Sequence, residues 1–230
     1  MNKPSIIAVD GHSSSGKSTV AKDAARELGL RYIDTGAMYR AVTLYTLRHD
    51  MISNGSIQEK NLQKALPDIA IDFRVNPKTG KSDTYLNGRN VEEAIRTMEV
   101  SNHVSMVSKL GFVRRHLVQL QQEMGEEGGI VMDGRDIGTV VFPNADVKVF
   151  VTATPEVRAQ RRYQELVAKG YNTDYEEVEA NLRERDYLDS NRKESPLRMA
   201  EDAHLLDNSE MSRQEQLEYV LNLVKENAKA

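Results

Sequence analysis

Residues that can bind a polyphosphate lie near the N-terminus, in the segment Gly11-His-Ser-Ser-Ser-Gly-Lys-Ser18. The segment fits the pattern G-x-x-x-x-G-K-[ST], whose glycines let successive backbone N–H groups converge on phosphate oxygens. In this pattern the lysine bridges the β- and γ-phosphates, and the following hydroxyl helps to hold Mg²⁺. The spacing therefore predicts a nucleoside triphosphate site in which Lys17 and Ser18 have these roles.

The sequence around the segment predicts the elements that such a loop needs. Ser5–Val9 is an apolar, β-branched run that stops at Asp10, which indicates a buried strand. Residues 17–28 carry one apolar helical face, and Gly29 is placed to end that helix. A phosphate loop between a strand and a helix uses the positive end of the helix dipole as well as its N–H groups.

The loop alone leaves the reaction open, because motor ATPases, GTPases and small-molecule kinases all use it. A GTPase is expected to carry an Asn-Lys-x-Asp motif, and the sequence has none. We expect the side chains of His12 and of Ser13, Ser14 and Ser15 to face solvent, so His12 is not expected to act as a base.

Arginines are the candidate residues for the second substrate. Arg135 directly follows a predicted strand, where open α/β sheets bind ligands, and Arg158, Arg161 and Arg162 share one helical face. Residues 135–198 contain eight Arg and three Lys, and a guanidinium matches phosphate oxygens bidentately. Surface ion pairs with nearby acidic residues remain an alternative for any one of these arginines.

This combination favours transfer of a phosphoryl group onto another phosphate. A hydroxyl acceptor usually needs a base, whereas a phosphate acceptor is already anionic near neutral pH. A phosphate acceptor instead needs cations that bring two polyanions together in line.

The remaining pattern predicts an α/β fold with a central parallel sheet of about five strands wrapped by helices. Besides Ser5–Val9, the strand-like runs are Arg31–Ile33, Gly129–Met132, Val147–Val151 and His204–Leu206. Ile69–Val75 and Ser82–Leu86 predict an inserted antiparallel hairpin. We expect one domain over 1–230, with an insertion at about 60–95 and a charged helical segment at about 157–190.

Composition excludes several classes of protein. The 230 residues carry a net charge of −4, 39% apolar and 29% charged residues, which is a soluble globular balance. The absence of cysteine excludes disulfides, a thiol nucleophile and a Cys-ligated zinc site. No basic block indicates nucleic acid, no apolar run approaches the roughly 20 residues of a membrane helix, and no signal peptide is apparent. We expect a cytoplasmic monomer with small-molecule substrates.

Several segments in order resemble the bacterial cytidylate kinases, from about Ile6 to Asp207. They are the phosphate loop, Asp34–Arg40, Asp133–Thr139, the pair Arg161-Arg162, and Arg185–Arg192. The resemblance implies a three-layer P-loop fold with a lid and a large acceptor-binding insertion that includes the hairpin. It implies transfer of the γ-phosphoryl group of ATP to CMP or dCMP.

The resemblance also implies roles residue by residue. ATP would be bound by Gly11, His12, Ser13, Ser14, Ser15, Gly16, Lys17, Ser18, Thr19, Arg158, Arg161 and Arg162. CMP would be bound by Thr35, Arg40, Ser105, Arg114, Arg135, Asp136, Arg185, Asp189 and Arg192. The residues acting in the transfer would be Lys17, Arg135, Arg161, Arg162 and Arg192. Mg²⁺ would be held directly by Ser18 and through water by Asp133, although Asp133 has the alternative role of holding its own loop.

Among the residues that would bind CMP, the arginines at 40, 135 and 192 would clamp the acceptor phosphate. Thr35 would contact the phosphate or the sugar, and Arg185 and Asp189 would contact the sugar hydroxyls. Ser105, Arg114 and Asp136 would contact cytosine. A carboxylate accepts from the 4-amino group of cytosine and meets a carbonyl in uracil, so CMP and dCMP are expected over UMP.

The chain departs from the family pattern at His12, where proline is usual, and at one or more of Ser13–Ser15, where alanine or glycine is usual. Two alternatives stay open at this point. One is a related kinase that uses UMP, AMP or a hydroxylated metabolite, and the other is a regulatory ATP-binding module with slow hydrolysis and a macromolecular partner.

Overall fold

The computed structural model describes residues 6–53 and 55–227. The strands are β1 Ile6–Gly11, β2 Arg31–Asp34, β3 Ile52–Ser53, β4 Ser56–Ile57, β5 Ile71–Val75, β6 Ser82–Leu86, β7 Arg89–Asn90, β8 Ile130–Gly134, β9 Val147–Thr152 and β10 His204–Asp207. The helices are α1 Lys17–Leu28, α2 Thr35–Arg48, α3 Glu59–Ala65, α4 Met98–Ser108, α5 Gly111–Gly125, α6 Pro155–Ala168, α7 Tyr175–Asn191 and α8 Arg213–Asn227. They form two compact units, one made of the described residues up to Tyr32 and from Gly125 onward, the other of Ile33–Met124.

The central sheet has five strands in the order β10-β9-β1-β8-β2. β1 pairs in parallel with both β8 and β9, and β10 pairs in parallel with β9. The predicted α/β class and the five predicted strands are therefore confirmed, with ends that differ by at most two residues; Ser5 lies outside the described residues.

Apolar strand residues form the core of the first unit together with α1 and α8. Ile7, Val9 and Val149 of the sheet are buried with Val20 of α1 and Val220 of α8. Because parallel strands are covered on both faces, their continuous apolar runs have no solvent-facing side.

The register of β1 and β8 determines where the loops leave the sheet. Val9 lies opposite Asp133, and Asp10 lies opposite Gly134. The phosphate loop and the segment that begins at Asp133 therefore leave the same edge of the sheet, at the carboxyl ends of its strands.

The second unit has its own core, in which Met38, Leu62, Ile95 and Leu117 are fully buried. The predicted hairpin is confirmed as β5 and β6, and it gains a third antiparallel strand, β7. Ile69, which the apolar pattern placed in the first strand, instead ends a 3₁₀ turn at Leu66–Asp68 and packs into this core.

The charged segment near residues 157–190 forms α6 and α7 of the first unit. These helices pack through Ala159, Leu166, Val178 and Leu182. Their small apolar seam leaves the remaining faces, rich in arginine and acidic residues, for polar contacts.

Candidate active site

The two glycines of the phosphate loop occupy positions that a side chain would not fit. A Cβ on Gly11 would lie 2.1 Å from the carbonyl oxygen of Val151. Gly16 caps α1 with a φ of 88°, in the left-handed region that favours glycine. Gly16 supplies no side-chain cap to α1, and the N-terminus of a helix favours a phosphate group.

Lys17 is the first residue of α1, and its side chain is buried. Its Nζ donates to the carbonyl oxygen of His12 at 3.3 Å, so the ammonium group lies over the loop. An ammonium group held over this loop is suited to bridge phosphate oxygens.

The expectation that the loop side chains face solvent is wrong. Ser13 and Ser15 are buried. The ring of His12 is half-buried and lies perpendicular to the ring of Phe150, with the two centroids 5.9 Å apart. His12 packs on Phe150 of β9, while Ser13 accepts hydrogen bonds from Arg135 through its hydroxyl and from Arg158 through its carbonyl oxygen. Burial lowers the pKa of the His12 ring below its ordinary value. The nearby charges of Arg158 and Arg135 lower this pKa further, whereas the carboxylate of Asp186 acts to raise it.

A pair of oxygen atoms suited to Mg²⁺ lies at the start of α1. The hydroxyl of Ser18 donates to Oδ2 of Asp133 at 2.6 Å, and the hydroxyl of Tyr32 donates to Oδ1 of the same carboxylate at 2.6 Å. Among the described residues no group of three or more His, Cys, Asp or Glu side chains could hold a metal. Mg²⁺ bound to a nucleotide needs few protein oxygens, because phosphates and water complete its shell, so these residues fit the ion.

Arg135 and Asp189 connect the phosphate loop to α7. Arg135 donates through Nη2 to the hydroxyl of Ser13 at 2.8 Å and through Nε to Asp189 at 2.9 Å. Burial opposes the charge on Arg135, but Asp189 raises the pKa of the guanidinium above its ordinary value. Asp189 also accepts from Arg192 at 3.3 Å, and Arg192 lies 3.8 Å from Asp136.

The charges around Asp189 keep it ionised. Burial would raise the pKa of this carboxyl, but Arg135, Arg192 and Arg185 together lower it below its ordinary value. For Arg185 itself, burial and the neighbouring Arg135 lower the pKa. Four of the predicted acceptor residues are thus brought together with Asp136 nearby.

The three predicted arginines of α6 have different surroundings. Arg158 is buried and donates to Asp186 at 2.6 Å and to the carbonyl oxygen of Ser13 at 3.4 Å. Arg161 reaches the carbonyl oxygen of Ser15 at 3.5 Å. Arg162 pairs with Glu165 on its own helix at 2.8 Å. Arg158 and Arg161 therefore contact the loop backbone, and Arg162 extends along α6.

The second unit holds four predicted acceptor residues. Thr35 is the buried first residue of α2, whose N-cap, Asp34, accepts from the N–H of Ala37 at 3.0 Å. Arg40 donates to Oγ of Ser101 at 2.9 Å. These contacts fix the first turn of α2 and the guanidinium one turn later.

Ser105 and Arg114 come from α4 and α5 of this unit. Arg114 is buried, donates to the carbonyl oxygen of Ser108 at 3.3 Å, and lies 5.3 Å from the centroid of the Tyr39 ring. Ser105 is half-buried one turn before Ser108. The aromatic contact and the carbonyl hold the guanidinium at a defined place.

Sequence reasoning missed Asp10, a site residue at the end of β1. Its carboxylate accepts from the N–H groups of Ile137 and Gly138, both at 2.8 Å, and so anchors the turn after Asp136. Burial raises the pKa of Asp10 to about 7. An acidic residue that ends a buried strand was the available signal, but its partners lie more than 120 residues away.

Comparison with known proteins decides the family. A sequence model of the family described as cytidylate kinase matches residues 7–226. The chain belongs to the cytidylate kinase family. A relative from Parabacteroides distasonis named cytidylate kinase is 62% identical over 219 residues, covering 95% of this chain and 96% of that protein. One of the same name from Bacteroides thetaiotaomicron is 58% identical over 218 residues, covering 95% of each chain.

A solved structure shares the fold of this cytidylate kinase family member. The crystal structure of a gluconokinase from Sinorhizobium meliloti has a TM-score of 0.50 and 15% sequence identity, and the match covers 100% of this chain and 96% of that one. At this identity the likeness concerns the fold alone. Across the part of the chain that the structure describes, no helix combines the length and apolar character needed to cross a membrane.

Proposed function

We propose that this chain transfers the γ-phosphoryl group of Mg·ATP to CMP or dCMP, giving CDP or dCDP and ADP. The observation that carries the proposal is the match to cytidylate kinases over residues 7–226 in a chain with a complete phosphate loop. In this reaction an oxygen of the acceptor phosphate forms a bond to the γ-phosphorus of ATP. The bond between that phosphorus and the oxygen that bridges it to the β-phosphorus breaks, and ADP is the leaving group.

We propose that the loop residues and the arginines of α6 hold ATP. Residues 11–19 would cradle the phosphates with backbone N–H groups and with the buried ammonium of Lys17. When bound, Mg²⁺ would neutralise charge between the β- and γ-phosphates, and its protein oxygens would be Ser18 directly and Asp133 through water. Arg158 and Arg161 are supported in this role by their contacts with the loop carbonyls, while Arg162 would have to leave Glu165.

We propose that cationic residues hold the acceptor phosphate. The cationic residues are Arg135 and Arg192 of the first unit and Arg40 of the second. Arg185 and Asp189 would contact the sugar, and the hydroxyl of Thr35 would contact the phosphate or the sugar. The carboxylate of Asp189 already orders Arg135 and Arg192, so little side-chain entropy is lost when a phosphate replaces part of these contacts.

We propose that Asp136 selects cytosine through its 4-amino group, with Arg114 and Ser105 contacting the other polar atoms of the base. Burial of Asp136 supports this, because an unmatched carbonyl of uracil against a buried carboxylate would be costly. The chain would work as a single kinase domain in which 60–95 belongs to the acceptor-binding insertion and 157–190 is a lid, acting as a cytoplasmic monomer.

The reaction is tested with purified protein, Mg·ATP and CMP, by separating CDP and ADP chromatographically. We expect stoichiometric CDP and ADP, and a loss of at least about a hundredfold in turnover for Lys17→Met, because the lysine stabilises charge on the transferred group. Lys60→Met, an exposed lysine of α3, is the matched control. ATP hydrolysis without CDP would overturn the proposal.

Base selection is tested by comparing kcat/KM for CMP and UMP in the wild type and in Asp136→Ala. We expect the CMP-to-UMP ratio to fall roughly tenfold or more in the variant, which loses the acceptor for the amino group. Asp68→Ala, at an exposed turn, should leave the ratio unchanged. Comparable turnover of both acceptors in the wild type, unaffected by the substitution, would contradict the role of Asp136.

A further inference from the structure

A fully buried asparagine, Asn208, lies directly after β10 and beside the phosphate loop. Its backbone N–H donates to the carbonyl oxygen of Thr152 at 2.9 Å, which fixes its place at the end of the sheet. A Cβ added to Gly16 would lie 2.9 Å from its Nδ2. The amide is therefore packed against the glycine that starts α1.

A chain of hydrogen bonds determines which way this amide points. Nε2 of Gln216 donates to the carbonyl oxygen of Met211 at 3.1 Å, so the oxygen of Gln216 faces Asn208. Nδ2 of Asn208 donates to this oxygen at 2.9 Å and to the carbonyl oxygen of Ser15 at 2.8 Å. Both protons of the Asn208 amide are used in these two bonds, so its Oδ1 can accept a hydrogen bond from another donor.

The acceptor side of Asn208 holds Arg161. Nη1 of Arg161 donates to Oδ1 of Asn208 at 2.8 Å, and Nη2 donates to the carbonyl oxygen of the same residue at 3.0 Å. The 3.5 Å contact with the carbonyl oxygen of Ser15 adds a third oxygen. The buried side chain of Asn208 is therefore hydrogen-bonded both to the Arg161 guanidinium and to the phosphate loop.

The oxygens that hold Arg161 are uncharged, which distinguishes it from its neighbours. Arg135 pairs with Asp189, Arg158 with Asp186 and Arg162 with Glu165. A carboxylate partner would offset the positive charge, whereas amide and carbonyl oxygens orient the guanidinium and leave its charge for an anionic ligand.

We propose that Asn208 is a positioning residue that holds Arg161 beside the phosphate loop for the donor triphosphate. The inference rests on the proposed function, in which Arg161 binds the phosphates of ATP. Asn208 itself acts through Arg161, and its bonds to the carbonyl oxygen of Ser15 and to Gln216 keep its own Oδ1 turned toward that guanidinium.

The test is a double-mutant cycle with Asn208→Ala, Arg161→Ala and the double variant, following KM for ATP, KM for CMP and kcat. Each single variant should raise KM for ATP roughly tenfold, the worth of one charge-assisted hydrogen bond, and leave KM for CMP unchanged. The KM for ATP of the double variant should be within about twofold of that of Arg161→Ala, because Asn208 has no further effect once the guanidinium is gone. Asn61→Ala, an exposed asparagine of α3, is the control.

A double variant whose KM for ATP rises by the product of the two single effects would overturn the proposal, as would an equal rise in KM for CMP. If Asn208→Ala does not fold, Asn208→Ser replaces it in the cycle, since its hydroxyl fills part of the same space. Displacement of a fluorescent methylanthraniloyl-ATP by Mg·ATP repeats the cycle without acceptor. If the wild type does not phosphorylate CMP, the proposed function fails, and this binding cycle still decides whether Asn208 acts through Arg161.

Discussion

Replacing Asp133 by asparagine tests the oxygen pair that is proposed to order Mg²⁺. The carboxylate is buried and accepts two short hydrogen bonds of 2.6 Å, one from Ser18 and one from Tyr32. Asparagine has the same shape but only one oxygen, so one of the two hydroxyls must face an amide NH₂ group. Losing one hydrogen bond to a charged group costs about 1.5–3 kcal/mol in the free energy of unfolding.

The larger effect of Asp133→Asn is expected on the metal requirement. Substituting a residue that orients a metal ligand typically weakens metal affinity about 10–100-fold. The free Mg²⁺ concentration that gives half-maximal activity should therefore rise by at least about tenfold. The assay is the initial rate of ADP formation with CMP at fixed ATP, titrated with Mg²⁺ and accompanied by thermal unfolding.

Two controls separate metal binding from stability. Tyr32→Phe removes one hydrogen bond but keeps the carboxylate, so it should lower stability by about 1 kcal/mol or more with a smaller change in the Mg²⁺ requirement. Asp72→Asn, at an exposed position of β5, should change neither. An unchanged Mg²⁺ titration in Asp133→Asn would refute the role of this carboxylate.

Three further predictions concern the phosphate loop and the proposed lid. Gly16→Ala should destabilise the fold by about 1–2 kcal/mol and weaken ATP binding, because φ is 88° and the new methyl would lie 2.9 Å from Asn208; unchanged thermal unfolding and unchanged analogue binding would contradict this. Since burial lowers the pKa of His12 from 6.5, its neutral ring contributes stability that is present above that pH and lost below it. The fall in unfolding free energy between about pH 7.5 and about pH 5.5 should therefore be smaller in His12→Gln, and an equal fall would count against it. ATP together with CMP should protect residues 157–190 from amide exchange more than either ligand alone, and equal exchange in all states would argue against a lid.

The three central strands β1, β8 and β9 were predictable because each is a short, buried run rich in Val and Ile, but their ends were not. β8 continues through Asp133 and Gly134, which look like loop residues in the sequence. They stay in the strand because hydrogen bonding with Val9 and Asp10 of β1 continues beyond the apolar run. β7 escaped prediction because its two exposed residues have no pattern of their own.

The phosphate loop was predictable because its function depends on contiguous residues with fixed spacing. The contacts that support it are not local. Tyr32 reaches Asp133 across 101 residues, and Asn208 reaches Ser15 across 193. The order of strands in the sheet creates these pairs, and no local pattern in the sequence indicates that order. The inward packing of His12 and Ser13 was missed for the same reason, since their partners Phe150, Arg135 and Arg158 are distant in the chain.

The most direct test of the account is ADP formation from Mg·ATP with CMP, dCMP, UMP, AMP, dTMP or no acceptor. The account predicts rapid turnover with CMP and dCMP, and turnover at least about tenfold slower with the others. Faster turnover of UMP, AMP or dTMP than of CMP would contradict the proposal that Asp136 recognises cytosine. The protein would in that case still be a kinase. ADP formation independent of any acceptor would contradict the proposed phosphoryl transfer itself.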